Sequence, residues 1–267
     1  MKIERLKYQD IPHKYYSCES GLEYKPVSTV YKCVQPEIDW EEKLQKKAKR
    51  LGIDPEDLRA QWNKKKDLGT KAGTCVHEDK EKMYLSEFFV ELDGELYNPV
   101  AYEIDPVIPD TKYQIMDLKP GCMYPELIVS LSKDHMRIGG TSDEVFISSS
   151  NYVHIRDTKT DKEMSYEGFR GQTLIGELSD LQDCNMTAYS IKCSMYLFFV
   201  LQANPHLKPG TITLLHNPIE RDEDGVPIFY DGKPRVLGEW EIPVDYQKME
   251  PYVKKLLNHY YKITKPC

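Results

Sequence analysis

The chain lacks the marks of several specialised protein classes. Its seven cysteines, at 18, 33, 75, 122, 184, 193 and 267, include no C-x-x-C pair. This argues against a disulfide framework, a zinc knuckle or an iron–sulfur cluster, and reduced thiols are expected. No apolar run approaches the ~20 residues that span a bilayer. The opening MKIERLKYQD has no apolar signal core, so an intracellular, cytoplasmic protein without a membrane partner is expected. Internal repeats and low-complexity tracts are absent. Positive charge is also short: 36 Lys and Arg face 43 Asp and Glu, for a net charge of -7. The molecule as a whole is not an electrostatic sponge for nucleic acid, although a local basic groove remains compatible with that balance.

What is present fits a globular chain. With 267 residues, one domain spanning 1–267 is expected, with material for a lid or insertion. Residues 1–40, which include Pro12, Pro26 and Pro36, show no sustained period and suggest an irregular arm with short extended pieces. DWEEKLQKKAKRLG and DPEDLRAQWNKKKDLG each begin with a capping Asp, place acids before bases and stop at Gly, the grammar of a helix. TKAGTCVHEDKEKMYLSEFF predicts further helix, with Val76, Met83 and Leu85 or Phe88 toward a core. Residues 93–124 predict a loop-rich insertion with at most one short helix. Three strands follow in ELIVSLS, RIGGTSDEVFISS and YVHIRDTKT. The longest helix signal is LQDCNMTAYSIKCSMYLFFVLQAN. Then come a strand in TITLLHN, a surface hairpin over 221–236, and a terminal helix with Pro251 as a break point. Helix, three strands, helix, strand is the order of an α/β sandwich around a mixed sheet.

The chemistry concentrates at the ends of one hairpin. Strand side chains alternate, so Val153, Ile155, Asp157 and Lys159 share a face, as do Asp143, Val145 and Ile147. An antiparallel turn at SSSN would bring Asp143 and Asp157 to the same end. Two neighbouring carboxylates repel unless a cation lies between them, and oxygen ligands suit Mg²⁺ or Mn²⁺. A nearby ammonium can orient a nucleophile and offset charge growing on a phosphate. The competing account is a hydrated hairpin rim, because Asp-x-Lys also occurs at Asp110, Asp117 and Asp231.

Further motifs surround this hairpin: GTCVHE, PELIVSL, G-x-x-D, D-x-K-T and an amphipathic helix with spaced Tyr. Over residues 69–200 their order and spacing resemble the PD-(D/E)XK nuclease superfamily, RecB-like exonuclease branch. The resemblance implies an α/β fold with a restriction-endonuclease-like core, a central mixed β-sheet flanked by helices, and a catalytic core over 69–217 ahead of a C-terminal hairpin and helix, 218–267. It implies a metal-dependent deoxyribonuclease acting on DNA in replication, recombination or repair, an exonuclease more than an endonuclease, with a phage-encoded enzyme among the forms it allows. Asp143 and Asp157 match the acidic metal ligands, Lys159 the catalytic Lys, and the Thr158 carbonyl a further ligand. His77 matches a His of the metal shell and Glu126 an acid lining the site; Mg²⁺ or Mn²⁺ is the implied cofactor, with no iron–sulfur cluster.

The chain departs from the family where Gln-x-x-x-Tyr is usual. Lys192 to Tyr196 carries Lys in place of Gln, and Asn185 to Tyr189 keeps an amide, so Lys192, Tyr196 and Tyr189 are candidate substrate contacts alongside core packing. Lys64, Lys65, Lys66 and Lys71 precede His77 and could line a DNA groove or simply favour a helix end. Trp62 could stack on unpaired bases or join the core. The 93–124 insertion and 221–236 hairpin are candidate lids. A degraded nucleic-acid-binding module and an unrelated α/β protein remain alternatives.

Overall fold

The computed structural model describes residues 4–10, 14–108 and 110–266; Pro12 and Cys267 lie outside them. The elements run β1 Leu6–Gln9, β2 Lys14–Ser17, β3 Glu23–Pro26, α1 Val27–Lys32, α2 Trp40–Leu51, α3 Pro55–Ser86, β4 Val90–Leu92, β5 Glu95–Pro99, β6 Thr111–Tyr113, β7 Cys122–Lys133, β8 Met136–Ile147 and β9 Tyr152–Lys159. They continue with α4 Asn185–Ala203, β10 Lys208–His216, β11 Phe229–Tyr230, β12 Lys233–Pro234, β13 Trp240–Val244 and α5 Tyr246–Ile263. This is a mixed α/β fold with a large mixed sheet flanked by helices.

The helix ends follow their sequence signals. Asp39 accepts the Glu42 amide at 2.8 Å and Asp54 the Glu56 amide at 2.8 Å. Gly52 closes α2 with φ 68°, a left-handed conformation that costs a glycine little. Gly69 does not stop a helix: α3 continues for 32 residues. Each glycine in a helix interior costs about 1 kcal/mol, and burial of Leu58, Ala72, Val76 and Tyr84 along α3 offsets it. Tyr84, rather than Met83, Leu85 or Phe88, reaches the core; Phe88 is 89% exposed. Residues 93–124, expected to be loop-rich with at most one short helix, contain the short strands β5 and β6 and the first residues of β7, and β13 is an additional strand.

The described part of the first forty residues is more regular than its composition suggests. The antiparallel strands β1, β2 and β3 form a meander, and β3 joins β8 in parallel. β8 therefore has a divided edge. Its early residues Ile138 and Gly139 pair with β3, whereas Glu144 to Ile147 pair with β9. Its other edge follows β7 from Met136 to Ile147. β9 and β10 are parallel, with α4 in the crossover between them, and β13 closes against β10 antiparallel.

Alternation sorts the layers. Val145, Ile147, Val153 and Ile155 enter the main core with residues of α1, α4 and α5. Phe146 and Met123, on the opposite face, pack with Tyr84 of α3. The Gly139–Gly140 corner lets aromatic rings close on β8. A Cβ at Gly139 would lie 3.0 Å from the Tyr15 ring, and one at Gly140 2.6 Å from the Tyr196 ring. Gly140→Ala is expected to destabilise the protein by roughly 1–3 kcal/mol, the cost of overpacking a closed site, as a lower midpoint in urea denaturation; an unchanged midpoint would show that Tyr196 yields freely.

Candidate functional site

The site forms where the edge of β8 changes partner. Between Gly139, paired with β3, and Glu144, paired with β9, Asp143 lies in the stretch that belongs to neither neighbour. Its Oδ2 accepts the Thr158 backbone N–H at 2.7 Å, which ties the start of this fork to the end of β9. On the other edge, Pro125 faces Glu144 and Leu127 faces Ser142, so Glu126 falls opposite Asp143. Glu126 has φ 50° inside a strand. A non-glycine residue in the left-handed region costs of order 1 kcal/mol or more and persists only where its surroundings hold it.

α3 supplies the third member. His77 Nδ1 is 3.2 Å from Asp143 Oδ2 and 3.8 Å from Glu126 Oε1. One ligand atom each from His77, Glu126 and Asp143 lie within 4.8 Å of one another, a set able to hold a metal ion. Two carboxylate oxygens and an imidazole nitrogen fit a divalent ion such as Mn²⁺, and carboxylates with water suit Mg²⁺. Burial works against the imidazolium, but the Asp143 and Glu126 carboxylates outweigh it and push the His77 pKa up to about 9.

Asp157 and Lys159 stand beside this trio. They form an ion pair with each other, and Lys159 Nζ also donates to the Thr158 carbonyl at 3.1 Å. Burial and the charge of Asp143 push the Asp157 pKa up, against the pull of Lys159. Burial opposes the Lys159 cation, yet Asp157 and Asp143 hold its pKa well above the usual lysine range. Lys159 is therefore a fixed positive charge. Asp157 is not among the three residues whose ligand atoms converge, and the Thr158 carbonyl is engaged by Lys159.

α4 borders Lys159 with an aromatic wall. Lys159 Nζ lies 4.9 Å from the centre of the Tyr189 ring, and Lys192 Nζ lies 5.9 Å from it. Tyr189 donates to Asp161 at 2.6 Å. Burial, then Lys159, lowers the Lys192 pKa. Tyr196 packs inward on Gly140, and Asn185 accepts the Ser165 amide at 2.7 Å.

The four lysines ahead of His77 do not reach this cluster. At 1.5 Å per residue, Lys71 lies about 9 Å and Lys64 about 20 Å before His77 along α3. Lys65 donates to the Asp224 carbonyl at 3.1 Å, Lys71 lies over the Phe229 ring, and Lys66 lines a separate groove with Trp62. The 221–236 segment packs on α3 through these contacts and through Lys233 with Asp79, at 2.8 Å.

One neighbour escaped the sequence reading. Lys80 donates to Thr158 Oγ1 and Asn217 Oδ1, each at 3.1 Å, and to Glu239 at 2.7 Å. It follows His77 by three residues, a spacing that places both on one side of a helix and was open to recognition. Asn217 and Glu239 carry no such local signal. Glu144, facing Arg156 at 3.7 Å, also lines this side, its pKa raised to about 7 chiefly by burial.

No protein-family model matches the chain, and no curated protein matches it. Among solved structures, SSO0001 is similar at 12% identity with a TM-score of 0.27, over 53% of this chain and 50% of that one. A provisionally named exonuclease from Eubacterium rectale is similar at 11% identity with a TM-score of 0.27, over 53% of this chain and 47% of that one. The matched part spans about half the length of each. Likeness at this level carries no argument about activity, which rests on the geometry of the site. No helix among the described residues is long and apolar enough to cross a membrane.

Two outcomes are expected in solution. Asp143→Ala and Glu126→Ala each weaken Mn²⁺ binding at least ~10-fold by calorimetry, with the surface variant Lys233→Ala unchanged as control. The raised His77 pKa sets a pH dependence for the metal-free protein. Its folded pKa exceeds the unfolded value near ~6.5, so its stabilising contribution is fully present below that pH and is lost as pH rises through about 9. His77→Gln should flatten that part of the stability profile in urea titrations.

Proposed function

We propose that the protein is a metal-dependent deoxyribonuclease, acting as an exonuclease, with a restriction-endonuclease-like core over residues 69–217 of a single domain. The observation that carries this reading is the convergence of His77, Glu126 and Asp143 within 4.8 Å beside the Asp157–Lys159 ion pair. Mg²⁺ or Mn²⁺ would be held by the trio, with Asp157 and the Thr158 carbonyl adjoining. When bound, the cation supplies electrostatic stabilisation of phosphate charge and eases deprotonation of water.

The chain's own residues perform the remaining tasks. Lys159, held as a cation by its carboxylate neighbours in the metal-free site, is placed to act by charge and hydrogen bonding. It positions the attacking water and the scissile phosphate. Asp143 fixes the end of β9 through the Thr158 amide, so the carboxylates and the ammonium share one rigid frame. Tyr189, flanked by Lys159 and Lys192, offers a wall for the DNA substrate, and Lys192 offers a point charge for a phosphate.

Lys192 in place of the family's usual Gln favours a second reading, a nucleic-acid-binding module with a degraded site. Linear single- and double-stranded DNA and a closed circle, with Mg²⁺, Mn²⁺ or EDTA, separate the two. Metal-dependent loss of linear DNA that spares the circle and slows at least ~100-fold in Lys159→Ala is expected. Folded protein that binds DNA but cleaves none under any of these conditions would leave the binding module; nicking of the circle would indicate an endonuclease.

A further inference from the structure

A second surface, on the α2–α3 hairpin, has its own chemistry. Along α2, Trp40, Lys43, Lys47 and Arg50 fall at spacings of three and four, which places them on one helical face. Lys43 lies 5.1 Å from the centre of the Trp40 ring, and Lys47 lies 5.2 Å from that of Trp62 on α3. Trp62 is a shared wall of two adjoining depressions. One is completed by Trp40 and Lys66, the other by Phe169 and Arg170.

Three aromatic rings therefore each carry a cation, Arg170 lying 5.2 Å from the centre of the Phe169 ring. Trp40 is 63% and Phe169 69% exposed, open enough to receive another flat ring. The loop that lifts Phe169 and Arg170 is closely constrained. Arg170 has φ 58°, and a Cβ at Gly168 would lie 1.9 Å from the Gln172 carbonyl oxygen.

The charge of this surface is not neutralised locally. Lys46 pairs with Glu42 and Arg59 with Glu41. Among the described residues Lys43, Lys47, Lys66 and Arg170 have no carboxylate partner, although the chain as a whole carries -7. Exposed π-faces interleaved with unpaired cations match the alternation of base and phosphate in an unpaired polynucleotide. Trp62 is half-buried against Leu44, Ala48 and Leu58 and serves as the floor between the two open rings; an acidic protein segment would satisfy the cations but has no need of two exposed aromatic faces.

We propose that this surface binds single-stranded DNA and guides it toward the candidate metal cluster. Lys66 precedes His77 by 11 residues, three helical turns plus about 20°, so the two lie on the same side of α3, about 16 Å apart along its axis. A strand seated on Trp40 and Trp62 and passing Lys66 would continue along α3 toward His77. The choice of DNA as the strand rests on the proposed nuclease reading; the binding surface itself does not.

Binding of labelled oligo(dT) to the full chain in EDTA separates the two claims. Lys43→Glu with Lys47→Glu should weaken binding at least ~10-fold and flatten its salt dependence. Trp40→Ala should weaken it roughly fivefold or more, with circular dichroism showing each variant folded. Unchanged affinity in both variants, or no binding by the wild type, overturns the proposal even if DNA is cleaved. Wild-type binding to poly(Glu) but not oligo(dT) also overturns it, in favour of an acidic protein partner. If the variants lose oligo(dT) while the wild type cleaves no DNA with Mn²⁺, the surface stands and the nuclease reading falls.

Discussion

The fork in β8 is the constraint on which the site depends. A strand paired continuously along both edges would have its backbone polar groups committed to its neighbours, leaving no free amide at the end of β9 for a carboxylate to hold. Here β3 takes the first part of one edge and β9 the last part. The gap frees Asp143 to accept the Thr158 amide. Gly139 and Gly140 let other elements close on the same strand: the rings of Tyr15 and Tyr196 occupy space that a methyl group at those positions would contest. The Gly-Gly corner thus acts through packing, on the same strand that carries Asp143.

Charge compensation is the second organising effect. Three carboxylates, Glu126, Asp143 and Asp157, crowd into a small, half-buried volume where their repulsion is weakly screened. Without a metal ion, His77 answers Asp143 and Glu126, and Lys159 answers Asp157. These pairings raise the His77 and Lys159 pKa values against burial. A divalent ion would compete with the His77 proton for the same lone pair. Lys80, on the next turn of α3, secures the opposite side of β9 through Thr158, Asn217 and Glu239. α3 is thereby fastened at two heights, which limits how far His77 can move relative to Asp143.

The sequence alone determined the elements whose signals are local. Asp39, Asp54 and Gly52 mark helix ends by hydrogen bonding and backbone conformation, and those marks survive in the fold. Alternation in VHIRDTK and SDEVFI placed apolar residues on one face and carried Asp143, Asp157 and Lys159 to the hairpin ends. Tertiary structure decided what depends on distant partners. Among the described residues of the 1–40 arm, β1 to β3 form a meander because β8 offers β3 an edge, and α3 crossed Gly69 because its later turns are buried against the sheet and the C-terminal hairpin. Local spacing could not show that Glu126 would face Asp143 in a left-handed conformation, that Lys80 would meet Asn217 and Glu239, or that Lys65 and Lys71 would engage the 221–236 segment. Periodicity records which face a side chain takes; only packing between elements far apart in the chain fixes what that face meets.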